Sequence, residues 1–303
     1  MLEMVRSILI GFQYSHDRFL PGIIIDLYQM HRYLLQCGHH PGSILVVTDI
    51  TQDVRSATVR NAIVDGVVDA NILSFIEDLR RMASLVTVDT ESTVNTPRSV
   101  LGLCLTEALS QDERVFIYYT GHGITLPTRY PGQPLRGGCL MPDYTVWLME
   151  DFLTLLVERC RNHQSLVCWF DCCGMGDILL PYRLVNGRFR LDQTTERTAK
   201  RSTADILIMT STSNDEKSVA SSFGSAFTRT LIRLLSSGTK PIHPDYTSGS
   251  TRSLPTLIEQ TNGAVTALKV GHQQTINVVA SLPIRPELPS WLIKLDKHFL
   301  REW

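Results

Sequence analysis

The 303-residue chain has no run of eighteen apolar residues, so nothing in it reads as a membrane span. Met1 to Gly11 lacks a cationic lead followed by a sufficiently long apolar stretch, so no secretory leader is read there. An excess of one charge is also missing. With 29 Lys and Arg against 30 Asp and Glu the net charge is −1, which excludes a global basic field for nucleic acid and an acidic, solvating tail. The seven cysteines (37, 104, 139, 160, 168, 172 and 173) are odd in number and show no C-x-x-C spacing. Several sit inside apolar helix or strand patterns, which points to reduced thiols in a cytoplasmic protein. No internal repeat is found.

What is present is apolar content of 43%, ample for one large core, and the expected organisation is a single domain over 1–303. Ser7 to Ile10 reads as a short strand, Gly22 to Gln36 as a helix carrying Ile23, Leu27, Met30 and Leu34 on one face, and Ser43 to Thr48 as a strand ending at Asp49. That is a βαβ unit and predicts a parallel sheet. Helices are expected over Asn61 to Ser84, Ser99 to Leu109 and Glu150 to Arg161, with strands over Val115 to Tyr119, Ser165 to Phe170 and Ile206 to Met209. The alternation predicts an α/β sandwich, a central and mostly parallel sheet flanked by helices. From Arg183 to Thr203 apolar residues thin out and arginines accumulate, which reads as an exposed basic loop or linker. Gly224 to Leu235 reads as the last long helix, followed by Pro- and Ser-rich stretches.

Two strand ends carry the candidate chemistry: Tyr118-Tyr-Thr-Gly-His-Gly123 and Phe170-Asp-Cys-Cys-Gly-Met-Gly176. Parallel neighbouring strands bring such ends to one edge of a sheet. A free thiol is only a few per cent ionised at neutral pH, so a cysteine nucleophile needs an imidazole to take its proton and return it to a leaving amine. His122 and Cys173 can supply that pair. The backbone N–H groups of Gly123 and Cys173 are candidate oxyanion donors. The plainer readings are a turn histidine and a small buried thiol. Cys172 competes with Cys173: strand alternation sends the two to opposite sides, and spacing does not choose between them.

The same residues resemble the caspase-like cysteine peptidases, most closely the metacaspases. The resemblance rests on Ile8 to Gly11 with Leu20-Pro-Gly-Ile-Ile-Ile-Asp26, Thr48-Asp49, Tyr119-Thr-Gly-His-Gly123, Asp171-Cys-Cys-Gly-Met-Gly176, Leu180-Pro-Tyr182, Leu207 to Ser218, and Gly224 to Thr228. It implies a three-layer caspase-hemoglobinase sandwich, with 1–182 large-subunit-like, an insert about 51–94, a basic linker 183–204 and a small-subunit-like 205–303. It also implies His122 as base, Cys173 as nucleophile, Cys172 at the family's serine or cysteine position, and a thioester intermediate. Asp26 and Asp171 map to an acidic pocket for Arg or Lys, since a carboxylate pairs with a guanidinium fork.

By the same resemblance Arg188, Arg190, Lys200 and Arg201 are candidate self-processing sites. The partners expected are peptide or protein substrates with Arg or Lys at the cleavage site, and the protein is expected to be a cytoplasmic monomer binding neither nucleic acid nor membrane. The family's calcium carboxylates are only partly matched, by Glu150 and Asp151 with Asp143 and Asp177 nearby. A hard cation wants six to eight oxygens, so no metal is expected to be required and calcium dependence is expected to be weak or absent. Gly174, Met175 and Ile25 depart from the family pattern. They leave a second reading, a caspase-like pseudoenzyme or interaction scaffold.

Overall fold

The computed structural model describes residues 5–14, 18–49, 57–81, 85–87, 96–112, 114–127, 135–162, 164–175, 177–192, 202–213, 216–218, 220–236, 254–268 and 274–282. Its core is four parallel strands: β1 (Val5–Gly11), β4 (Arg114–Thr120), β8 (Ser165–Asp171) and β11 (Asp205–Thr210). Each reads as a near-continuous apolar run because both faces are covered. Alternate residues supply two separate cores. Leu9, Phe116, Tyr118, Val167, Trp169, Leu207 and Met209 face one side. Ile8, Ile10, Val115, Ile117, Tyr119, Cys168, Phe170 and Ile208 face the other. Helices α1 (Ile23–Gln36), α3 (Asn71–Arg81), α6 (Ala226–Ser236) and α7 (Leu254–Ala267) cover the first face, and α4 (Pro97–Gln111) with α5 (Met149–Arg159) the second. The expected three-layer α/β sandwich is the architecture observed.

The sheet is wider than its core. Strands β2 (Ile44–Thr48) and β3 (Leu85–Thr87) extend one side in parallel. On the other side β14 (Asn277–Ala280), β9 (Tyr182–Val185) and β10 (Arg188–Leu191) are added antiparallel. A separate three-stranded sheet, β5 (Gly123–Leu126), β6 (Arg136–Leu140) and β7 (Val146–Leu148), starts directly after His122. A two-residue ladder joins β12 (Ala220–Ser221) to β13 (Gly224–Ser225).

Three expectations require correction. The helix expected over 61–84 is two, α2 (Ala57–Val64) and α3. Gly66 stands at φ +67° and closes α2 with N–H bonds from Val67 to the Ala62 carbonyl at 2.9 Å and from Gly66 to Ile63 at 3.1 Å. These are the paired bonds of a Schellman cap, which ends a helix whatever the periodicity beyond it. Val59, Ala62, Ile72, Phe75, Ile76 and Leu79 of this insert are buried in the first core, so its described part is packed structure.

The basic stretch is not a loop throughout. Asn186 (φ +49°) and Gly187 (φ +76°) make the turn of the β9–β10 hairpin, and Asn-Gly with both residues left-handed is the two-residue hairpin turn that matches strand twist. Arg188 and Arg190 therefore lie on the sheet's edge strand, where charged side chains suit an exposed position. Lys200 and Arg201 lie outside the described residues. Finally, Gly224 and Ser225 belong to β13, so α6 starts at Ala226, and it is not the last helix. The unexpected α7 contains Thr256, Thr261 and Gly263, poor helix formers held by burial of Leu254, Leu257, Ile258 and Val265.

Candidate active site

Strands β4 and β8 end in the same register, Thr120 opposite Asp171, so the histidine and cysteine segments emerge side by side at the carboxyl edge of the sheet. Their backbones touch. A β-carbon on Gly123 would lie 1.8 Å from the Cys173 carbonyl oxygen and 3.0 Å from Cys172 Sγ, so only glycine permits this approach. Because Leu140 N–H donates to the His122 carbonyl at 3.0 Å, Gly123 and Cys139 form the non-hydrogen-bonded pair of the β5–β6 ladder. The Gly123 N–H is left outside that ladder.

The cysteine doublet is resolved by burial. Cys172 is 1% exposed and points into the second core, and Cys173 is partly exposed. The Cys172 carbonyl accepts from the hydroxyls of Thr212 at 3.0 Å and Ser211 at 3.3 Å, which fixes the peptide leading into Cys173. Gly174 follows at φ +38°, a backbone state that suits glycine. Burial pushes the Cys173 thiol above its ordinary value, while the Ser218 N–H, 3.2 Å from Sγ, and the Lys217 ammonium pull the other way.

His122 is held on every side of its peptide. Its N–H donates to Tyr14 Oη at 2.9 Å, and Tyr119 Oη donates to its carbonyl at 2.7 Å. Tyr14 also donates to the Leu140 carbonyl at 2.8 Å and lays its ring 4.8 Å from the imidazole. Asp49, the aspartate of the Thr-Asp pair, accepts the N–H groups of Gln13 and Tyr14 at 2.7 and 2.8 Å. These bonds hold Tyr14 at φ +59°, a costly conformation for a bulky residue. The imidazole Nε2 is 2.8 Å from the Arg18 carbonyl. A carbonyl only accepts, so in the neutral ring Nε2 carries the hydrogen and Nδ1 is the basic nitrogen.

Asp26 and Asp171 come from α1 and β8 and meet beneath the nucleophile. Asp26 accepts from the Ser225 N–H at 2.8 Å and the Thr120 hydroxyl at 3.3 Å. Asp171 accepts from the Ser218 hydroxyl at 2.9 Å and the Thr228 hydroxyl at 2.5 Å. Gly224 is left-handed (φ +88°), and a β-carbon there would lie 2.5 Å from Asp26 Oδ1. Burial holds both carboxyls above the ordinary carboxylate value, and for Asp26 the neighbouring Asp171 charge adds to it. Both are covered, at 1% and 3% exposure.

The calcium candidates are elsewhere and occupied: Glu150 pairs with Arg136 at 2.5 Å and Asp151 with Arg98 at 2.8 Å. Asp177 accepts from the Leu135 N–H and Asp143 from its own turn at Thr145. Among the described residues no group of three or more His, Cys, Asp or Glu is placed to hold a metal, and no helix is long and apolar enough to cross a membrane.

Spacing did not point to Tyr14, the Arg18 carbonyl or Ser218. Two of these act through backbone atoms, which carry no residue signature.

A mostly parallel sheet with helices on both faces, presenting a histidine and a partly exposed cysteine at one carboxyl edge, defines a caspase-type peptidase domain. The family model of the caspase domain of peptidases matches residues 5–283, and the chain belongs to that family of cysteine peptidases. No curated protein matches it significantly. Among solved structures it is similar to protein GSU0716 from Geobacter sulfurreducens, with 14% identity, TM-score 0.54, and 97% of this chain and 100% of that one covered. It is also similar to caspase-1 from Spodoptera frugiperda, with 13% identity, TM-score 0.50, and 95% and 90% covered. At such identities the likeness is one of fold.

Proposed function

We propose that the protein is a cysteine endopeptidase of metacaspase type that cleaves peptide bonds after Arg or Lys. The observation that carries this reading is the pair of buried carboxyls, Asp26 and Asp171, next to the nucleophile and without an ion-pair partner among the described residues. Two desolvated carboxyls that repel each other are stabilised by an entering guanidinium or ammonium, which neutralises charge and donates N–H bonds to them, a guanidinium in its fork geometry.

In this reading His122 Nδ1 takes the Cys173 proton and the thiolate attacks the carbonyl carbon. The Gly123 and Cys173 N–H groups receive the oxyanion. The imidazolium then protonates the leaving amine, and water hydrolyses the thioester with the same histidine as base. No step calls for a metal. Since Ser218 covers Asp171 and touches Cys173, residues 216–218 must shift for a basic side chain to enter. Of the four candidate self-processing sites, Arg188 and Arg190 are hydrogen-bonded in β10, so cleavage there requires that edge strand to open first. The protein acts as a monomer in the cytoplasm.

Reporter peptides ending in Arg, Lys or Asp test the specificity, with turnover expected after Arg and Lys and abolished in Cys173→Ala. Cys172→Ala is expected to keep at least about a tenth of the activity, its thiol being core filling. Turnover after Asp alone, or loss in Cys172→Ala with retention in Cys173→Ala, overturns the assignment.

A further inference from the structure

Away from the catalytic edge, α1, α6 and the turn between α2 and α3 border an open cavity of about 310 Å³. Gln29, Arg32 and Tyr33 line it from α1, Val67 from the turn, and Arg229 and Arg233 from α6. Arg32 is paired with Asp69. Arg229, partly buried, and Arg233, exposed, form no ion pair or hydrogen bond among the described residues, and the Arg229 charge acts on Asp26. Gln29 gives its Nε2 to the Val67 carbonyl, but its Oε1 is buried with no donor.

Together these features describe a ligand. Two unpaired guanidiniums ask for about two negative charges on oxygens that take paired N–H bonds; a phosphate monoester carries about −1.5 to −2 at neutral pH, a single carboxylate only about −1. Val67, Val68 and Ile232 offer the ester's body apolar wall. The volume is at the lower end for small-molecule sites. We infer that this cavity is an effector site for a small organic phosphate, lying on the opposite side of Asp26 from the substrate.

The coupling to catalysis, which rests on the proposed basic specificity, follows from Arg229. Its charge helps hold Asp26 ionised against burial and against Asp171. A dianion on Arg229 cancels that help, so Asp26 takes up a proton more readily and the pocket loses charge for Arg or Lys. The effector therefore inhibits, by raising KM.

Calorimetry on the Cys173→Ala protein, at constant ionic strength, with adenosine monophosphate and with inorganic phosphate, reads the site without any proteolysis. Saturable one-to-one binding of the monophosphate is expected, weakened by at least about tenfold in Arg233→Gln. Equal binding of inorganic phosphate makes the head group alone the ligand and still supports the site. Absence of binding, or binding that Arg233→Gln leaves unchanged, overturns it.

On the active enzyme the monophosphate should raise KM for an Arg reporter with kcat little changed. Arg233→Gln should abolish this response with basal KM intact. Arg229→Gln should raise basal KM and be insensitive to the ligand. Binding without a KM response removes the coupling and leaves the site, so failure of the specificity reading is told apart from failure of the cavity.

Discussion

The Ser218 backbone N–H lies 3.2 Å from the sulfur of Cys173, and the Ser218 hydroxyl lies 2.9 Å from Asp171. One residue thus tethers the nucleophile and a pocket carboxyl at once. The two bonds separate by mutation. Ser218→Ala keeps the amide and removes one of the hydroxyls that bond Asp171, so the rate of alkylation of Cys173 by iodoacetamide should keep its pH midpoint while KM for an Arg reporter changes. Ser218→Pro removes the N–H that favours thiolate, so the midpoint should move to higher pH and kcat fall by about tenfold. An unmoved midpoint in Ser218→Pro removes the amide from the account.

Gly123 is the second point of contact with the nucleophile. In Gly123→Ala the new carbon meets a backbone carbonyl that has no rotamer to retreat into, so a loss of stability of about 1–3 kcal/mol and loss of measurable turnover are expected. Gly102, inside α4 with nothing within 4 Å of its β-carbon position, is the control. Gly102→Ala should raise stability by about 0.5–1 kcal/mol and leave kcat alone. Urea unfolding of both variants checks the pair.

The sign of the Asp26 linkage makes a third prediction. Its folded pKa is above the ordinary value of 3.8, so the folded state holds a proton that the unfolded chain has released. Stability from this group is present below pH 3.8 and lost as pH rises toward the folded pKa. Asp26→Asn removes the cost of the buried charge while its side-chain oxygen still accepts the Ser225 N–H. The variant should melt higher than the parent near pH 7, the gain vanishing toward pH 4, while KM for Arg reporters rises at least about tenfold. A lower melting temperature near pH 7 argues that Asp26 is stabilised as the anion by groups other than those seen.

Tyr14 is expected to position His122. Tyr14→Phe keeps the ring beside the imidazole and removes the oxygen that serves His122 N–H and the Leu140 carbonyl. A fall in kcat of about ten- to a hundredfold with KM nearly constant is expected, together with a shifted acid limb of the kcat profile. A pure stability loss, with kcat of the remaining folded enzyme unchanged, would make Tyr14 structural only.

Much of the fold was legible because its central strands are buried on both faces. Runs such as Phe116-Ile-Tyr-Tyr and Val167-Cys-Trp-Phe declare themselves without neighbours. The β9–β10 hairpin was also written in the sequence, as Asn186-Gly187, but arginine content masked it. Helix α7 was not legible, because its Thr, Asn and Gly residues have weak helical preference and it is held by packing against α6; β14, though rich in valine, is only four residues long and is defined by its pairing with β11.

The sequence by itself determined the α/β order, the histidine and cysteine blocks at two strand ends, and the glycines their approach requires, since these follow from local pattern and steric freedom. Only the tertiary structure decided which thiol of the doublet stays partly exposed, because burial of Cys172 depends on a core built from distant strands. It also decided that Asp26 sits beside Asp171, since electrostatic pairing is a matter of distance in space, which α1 packed under the carboxyl edge supplies and chain separation does not.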